Sequence, residues 1–481
     1  MDILQVKNGT IVDKRNNEVK LRGYCIGGWM NMENFIDGYP GSEHDLRRVM
    51  KEVLGPSRGE FFFERLLDYF LSEEDIFFIK ECGINTVRLP VNYHHFESDE
   101  KPFAYIESGF RRLDKALSWC EKYGIYAIID LHAVQGWQNT DWHCDNSSRH
   151  TLFWTHKSFQ DRFVYLWEEF GRRYKDSGVV AGYNIMNEPC TGAPSGRFGL
   201  PYIPDFDILN RIYHRTVTAI RKIDPHHIIF LEGDRFSRLF KGCEAPFAEN
   251  LVYSSHNYND GGFGPGKYPG TIYGQYWDRN KEVEMFNKEE GTIFCTQYNV
   301  PLWAGEFGSV YNGNPDEIPD RLRAMNDQID VFKDYGVHWT AWTYKDVGTM
   351  GLVYLNPESE YMQRIKKIIE AKQELSADFW MGWIPPGKAR KMLDKVADIS
   401  AVTLDIPKVQ RGRYRTFLAQ ASLSGYMSGR MQYVFAEIFK HLSENDIDRI
   451  LSSFALHACL KREPLISIIK KYCATPEAPK K

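Results

Sequence analysis

Short apolar runs alternate along most of this chain with longer stretches whose apolar residues recur at helical spacing. Residues 84–89 (INTVRL) are apolar and β-branched, as a strand buried on both faces requires. Residues 113–123 then carry apolar positions at helical spacing and end at Gly124. Residues 125–132 (IYAIIDLH) form the next buried run. The same unit recurs at VAGYNIM, HHIIFLEG, NLVYSSHNY, VPLWAGEFG and VHWTAWTYK, with helical stretches such as SFQDRFVYLWEEFGRRY between runs. Repeated strand–helix units predict a parallel sheet with helices outside it. About eight strand candidates fall between Arg22 and Trp342, the number that closes an α/β (β/α)8 TIM barrel. An open doubly wound sheet is the other fold with this rhythm, but its nucleotide-binding members carry a Gly-rich turn after the first strand. No G-x-G-x-x-G or G-x-x-x-x-G-K-[ST] pattern follows any strand candidate.

The pattern differs at both ends. Residues 4–23 alternate polar and apolar positions, punctuated by Asn8-Gly9 and Asn16-Asn17, which predicts a hairpin able to cap the bottom of the barrel. After about residue 375 the rhythm becomes helical. Trp380 and Trp383 lead into a Pro-Pro-Gly turn, and their apolar surface predicts packing on the barrel. Ser443 and Asp446 have the spacing of a capping box, and Ile447, Ile450, Leu451 and Phe454 share one face. The expected organisation is a catalytic barrel over 1–375 and a mainly helical appendage over 376–481, whose last eight residues are expected to fray.

Composition narrows the function classes. Of 481 residues 43% are hydrophobic, enough for a large core, and the net charge of −4 suggests no electrostatic partner such as nucleic acid or an anionic membrane. The four positive charges within 408–415 read as a solvated face. Nine cysteines without a C-x-x-C pair read as reduced, buried thiols. The first twenty residues lack the apolar core of a signal peptide, and no apolar run reaches the length of a membrane span. A soluble, cytoplasmic chain is expected. The 12 Trp and 27 Tyr would suit a site that stacks rings on sugar faces, although large cores use aromatics too.

In such a barrel, catalytic groups sit at the C-terminal ends of the strands. There the chain places Arg88, His132, Asn187-Glu188, His256, Tyr258, Glu306 and Trp342. Each alone has a dull reading as a loop anchor. Two carboxylates on the fourth and seventh strands, nearly opposite each other in a narrow barrel, are a different matter. Cleaving a glycosidic bond needs one carboxyl group to protonate the leaving oxygen and another to attack the anomeric carbon or activate water. Glu188 is the expected acid/base and Glu306 the expected nucleophile, with Arg88 and Tyr258 stabilising the ionised Glu306. Asn187 could bind the sugar 2-hydroxyl, and His132 and His256 could donate to hydroxyls or to the acid/base.

The motifs NEP at 187–189 and GEFG at 305–308, with that ordered set of strand-end residues, resemble glycoside hydrolase family 5, the large clan A family containing cellulases, mannanases and exo-β-glucanases. The resemblance covers roughly residues 20–370. It implies a retaining (β/α)8 enzyme that needs no cofactor or metal and acts on a carbohydrate or glycoconjugate. At a finer level, LRGYCIGGWMNMENFI at 21–36 is similar to the opening of exo-β-1,3-glucanases, which implies that Glu33 contacts the non-reducing-end sugar. Asn34 stands where such enzymes usually carry Pro, and the loop 142–145 departs from their pattern. The expected substrate is a β-linked glucoside or glucan oligosaccharide, cleaved from an end or as a short molecule. Endo-cleavage of glucan or mannan, glycolipid cleavage and transglycosylation on the same site are the alternatives.

Further residues complete the expectations. Trp142 is the best candidate for a wall beside the acceptor, whereas Trp137, Trp154 and Trp277 divide evenly between stacking and packing. Of the pair His94-His95, His95 is expected to touch sugar hydroxyls or support Arg88. Asp141, His143 and Asp145 have a spacing that could hold a cation, but surface acids of a loop are the better reading.

Overall fold

The computed structural model describes residues 1–192, 202–377 and 387–473. The expected packing of Trp380 and Trp383 and the expected fraying of the final eight residues lie outside the described residues. Eight parallel strands close into a barrel: β1 (Arg22–Cys25), β2 (Thr86–Asn92), β3 (Tyr126–Ala133), β4 (Val180–Asn184), β5 (Ile228–Glu232), β6 (Leu251–His256), β7 (Leu302–Glu306) and β8 (His338–Ala341). Each pairs with its neighbours in sequence, and β8 closes on β1 through Trp339 opposite Arg22. Every residue of β2 is buried, and apart from Thr86, Arg88 and Asn92 its sequence TVRLPVN is apolar.

The hairpin Gln5–Lys7 with Thr10–Val12 plugs the N-terminal end of the barrel. Leu4, Ile11 and Leu21 pack there against Ile128, Ala181, Phe230 and Trp303, the inward residues of the lowest barrel layer. With that end sealed by apolar side chains, only the opposite mouth is left for polar chemistry.

Helices Lys388–Thr403, Arg411–Ala419, Ser428–Glu437, Glu444–Leu451 and Glu463–Cys473 make the C-terminal region mainly helical. Ser443 and Asp446 form the expected capping box, and Ile447, Ile450 and Leu451 are fully buried. Much of this region shares the barrel's core. Phe62 of helix Pro56–Phe70 meets Phe439 edge-on at 5.0 Å, and Phe454 packs on Phe70 and Tyr361 at 5.9 and 4.8 Å. The buried Lys345 ammonium pairs with Asp75 at 2.8 Å and donates to the Phe70 and Phe454 carbonyls, both at 2.7 Å. Cys459–Lys461 also adds an antiparallel strand to Val353–Leu355, just beyond the barrel. A run of three residues is too short for periodicity to reveal as a strand.

Candidate active site

The strand ends assemble a charged layer under the mouth. Arg88 (β2), Asp130 (β3), Asn184 (β4) and Glu232 (β5) point inward and are fully or almost fully buried. The Arg88 guanidinium donates to Asn184 Oδ1 and Asn187 Oδ1 at 2.9 and 2.7 Å and lies 3.2 Å from Asp130 and 3.3 Å from Glu232. A buried cation is tolerated only when paired in this way. Although burial opposes its charge, Asp130, Glu306 and Glu232 hold Arg88 firmly protonated.

Glu306 sits at the end of β7, directly opposite His256 of β6 in the strand register. Arg88 Nη1 donates to its Oε1 at 2.5 Å and Tyr258 Oη to its Oε2 at 2.9 Å. Both carboxylate oxygens of Glu306 therefore accept a hydrogen bond from the site.

Glu188 lies beyond the end of β4, with a left-handed backbone (φ 45°) unusual for a side chain of its size. Its N–H donates to Glu232 Oε2 at 2.8 Å, which anchors that turn to β5. Its carboxylate is clasped by two imidazoles, His256 Nδ1 at 2.7 Å on Oε1 and His143 Nε2 at 2.9 Å on Oε2. Burial alone would raise its pKa, but these two bonds outweigh it and hold Glu188 below the usual carboxylate range. The complementary effect acts on the rings. Burial opposes their charge, yet Glu306 and Glu232, with Glu188, push His256 up to about 10, and Glu188 raises His143.

A carboxylate oxygen of Glu188, a ring nitrogen of His256 and a carboxylate oxygen of Glu306 lie within 4.8 Å of one another. That trio could geometrically hold a cation, but its oxygens already accept bonds from Arg88, Tyr258, His143 and His256. Asp141, His143 and Asp145 do not converge: Asp141 pairs with Arg149, His143 with Glu188, and Asp145 with His44 and Asn92.

Above the acids is a pocket of about 300 Å³, lined by Glu33, His132, Trp142, Phe236 and Trp342 together with both glutamates. The His132 ring stacks on Trp342 at 5.3 Å, nearly parallel at 12°. Burial opposes charge on His132, but Asp130 at 2.7 Å and Glu33 at 3.4 Å raise it to about 9. Glu33 Oε1 is buried 3.4 Å from His132 Nε2, and Trp142 Nε1 is buried without a hydrogen-bond partner among the described residues. Unpaired polar atoms in a pocket wall are ready for ligand hydroxyls.

The sequence model described as Cellulase (glycosyl hydrolase family 5) matches residues 66–348, more than half of the chain. The chain belongs to glycosyl hydrolase family 5. It is 35% identical to a β-xylosidase of Phanerodontia chrysosporium over 98% of both chains, so that likeness extends through the helical C-terminal region. A cellodextrinase A of Ruminococcus flavefaciens is 30% identical over 66% of this chain and 83% of its own. The crystal structure of a glycoside hydrolase shares the fold, with a TM-score of 0.51 and 22% identity over 70% of this chain and 91% of its own. As a family 5 member the protein is a glycoside hydrolase, and its substrates are carbohydrates.

The family's ordered residues meet in this one site, and Glu33 and Trp142 join them. His95 does not. It closes the turn Tyr93–His95 beyond β2 and packs on Phe96, with its Nε2 3.8 Å from Glu43. It neither lines the pocket nor appears among Arg88's partners. The turn sets its ring against Phe96 and Glu43 instead of the pocket. Trp154 and Trp277 are buried, and Trp154 Nε1 donates to the Gln138 carbonyl, while Trp137 packs near His44.

Sequence pattern assigns no role to Asp130, Asn184 or Glu232, and it weighs His143 only within a cation-binding spacing. The first three were legible as polar residues inside otherwise apolar strands. His143 comes from a loop with no periodicity, and only its contact with Glu188 reveals it. Phe236 reaches the pocket through three successive left-handed residues, Arg235, Phe236 and Ser237, a local strain found where structure is bent to a purpose.

Proposed function

We propose that this family 5 enzyme is a retaining β-glycosidase, working by double displacement on short β-linked glucosides or glucan oligosaccharides and releasing sugar from a chain end. The observation that carries the mechanism is the approach of Glu188 and Glu306 oxygens to within 4.8 Å. Retention needs carboxyl groups about 5–5.5 Å apart, whereas inversion needs roughly 6.5–9.5 Å to admit a water.

In this mechanism Glu306, hydrogen-bonded by Arg88 and Tyr258, attacks the anomeric carbon and forms a glycosyl ester as the bond to the leaving oxygen breaks. Glu188 delivers a proton to that oxygen. His143 and His256 favour the Glu188 anion, so the proton it delivers reaches it from one of these imidazoles along a 2.7 or 2.9 Å bond. Water deprotonated by Glu188 then cleaves the ester and frees Glu306. His132 and Asn187, 3.2 Å apart, are placed to bind hydroxyls of the reacting sugar, and Trp342 to stack on its face.

The pocket volume supports the preference for short substrates or chain ends. About 300 Å³ is at the lower end of the roughly 300–1,000 Å³ of ligand pockets. The names of the cellodextrinase and β-xylosidase relatives agree with small substrates. The full-length likeness to a β-xylosidase favours a second reading, that the sugar accepted is xylose, which lacks the hydroxymethyl group of glucose.

The test is hydrolysis of p-nitrophenyl β-glucoside, p-nitrophenyl β-xyloside and cello-oligosaccharides by wild type and Glu306→Gln, with the first-formed anomer read by NMR. The expected result is a β-anomer product and a rate at least about a thousandfold lower in the variant. An α-anomer, or activity that survives Glu306→Gln, would sink the mechanism. Preference for the xyloside would transfer the substrate assignment to xylose.

A further inference from the structure

Helix Lys388–Thr403 has its apolar residues on the wrong side. Its inward face carries Ala397 and Ala401, which form a small core with Tyr414 of helix Arg411–Ala419. Its outward face carries Met392, Val396, Ile399 and Val402, which leave 68, 57, 69 and 57% of their surface exposed. At 100° per residue these four share one arc of the helix with Lys388, Lys391 and Lys395. Leu404 and Val409, 61 and 93% exposed, continue the apolar surface past the helix end. A helix that only packed on the barrel would turn these side chains inward.

Charge is segregated in the same segment. Residues 388–415 hold eight basic against three acidic residues, in a chain whose net charge is −4. Two of the acids are already neutralised, Asp394 by Arg390 at 2.9 Å and Asp398 by Arg415 at 2.6 Å. Lys391 and Lys395 have no carboxylate within 4 Å among the described residues.

Large apolar side chains interleaved with lysines suit one kind of surface, a bilayer interface with anionic headgroups. The apolar side chains enter the acyl boundary while the lysine stems reach back to phosphates and carboxylates. A second copy of the same face would set lysine against lysine. We propose that this helix docks the protein peripherally on anionic lipid membranes, with Met392, Val396, Ile399 and Val402 inserted and Lys388, Lys391 and Lys395 contacting headgroups. No helix among the described residues is long and apolar enough to span the bilayer, so the attachment is to one leaflet's surface.

The experiment is flotation of the full chain with phosphatidylcholine vesicles, with and without phosphatidylserine, at low and high salt. Wild type is compared with Val396→Asp/Ile399→Asp and with Lys391→Glu/Lys395→Glu. These positions are exposed, so unchanged melting and unchanged hydrolysis of a soluble p-nitrophenyl β-glycoside establish that the variants fold. Wild type is expected to float with phosphatidylserine vesicles at low salt and to be released by high salt. Each double variant is expected to lower the bound fraction about tenfold or more. Absence of wild-type binding to the anionic vesicles would overturn the proposal, as would binding that both variants retain. A wild-type dimer that the aspartates dissociate, without vesicle binding, would reassign the face to self-association and also overturn it. These readouts are independent of which glycoside the active site cleaves.

Discussion

His143 Nε2 lies 2.9 Å from Glu188 Oε2, so the loop after β3 supplies the second of two imidazoles that clasp the proposed acid/base. His256 holds the other oxygen and also sits 3.6 Å from Glu306 Oε2. The proposed proton donor is thus tuned from two sides, by a strand-end residue and by a residue that only the loop path brings in.

Replacing His143 with Ala removes a partner that favours the Glu188 anion. The Glu188 pKa, depressed in wild type, should rise. Infrared titration of its carboxyl band, assigned by its loss in Glu188→Gln, should show protonation at higher pH in His143→Ala. An unshifted band would mean that His256 alone governs Glu188.

His256 makes stability depend on pH. Its folded pKa is raised to about 10 from an unfolded value of about 6.5, so its contribution is fully present below about 6.5 and is lost as pH rises through 10. The melting-temperature gap between wild type and His256→Asn should therefore narrow over that window. A gap constant with pH would contradict the raised pKa.

Glu33 places a buried carboxylate, 3.4 Å from His132, in the wall of the pocket proposed to bind the sugar. Glu33→Ala should lower kcat/KM roughly 10- to 100-fold, the value of one charged hydrogen bond to a hydroxyl. Trp342→Ala should weaken binding through lost stacking and appear mainly in KM. Steady-state kinetics on one soluble glycoside checks both, and an unchanged kcat/KM in Glu33→Ala would remove it from the site.

Deleting residues 376–481 should leave the barrel insoluble. Phe62 and Phe70 would lose Phe439 and Phe454, each buried aromatic contributing about 2 kcal/mol, and the Lys345 ammonium would lose the Phe454 carbonyl. Recovery of a soluble truncation with wild-type melting would show that the shared core is dispensable.

The strand–helix rhythm and the two glutamates were legible in the sequence for a physical reason. Both-face burial demands apolar runs such as IYAII, and a polar residue at the end of such a run has only the barrel mouth to face. The capping box at Ser443 was equally local. Tertiary structure alone decided where His95 and His143 point, because turns and loops carry no periodicity and a one-residue change in path redirects a ring. It alone set the approach of Glu188 to Glu306, since strands four and seven meet only when the barrel closes. It also decided that helix Lys388–Thr403 buries two alanines and shows its larger apolar residues to solvent, a choice that amphipathic spacing leaves open between two faces.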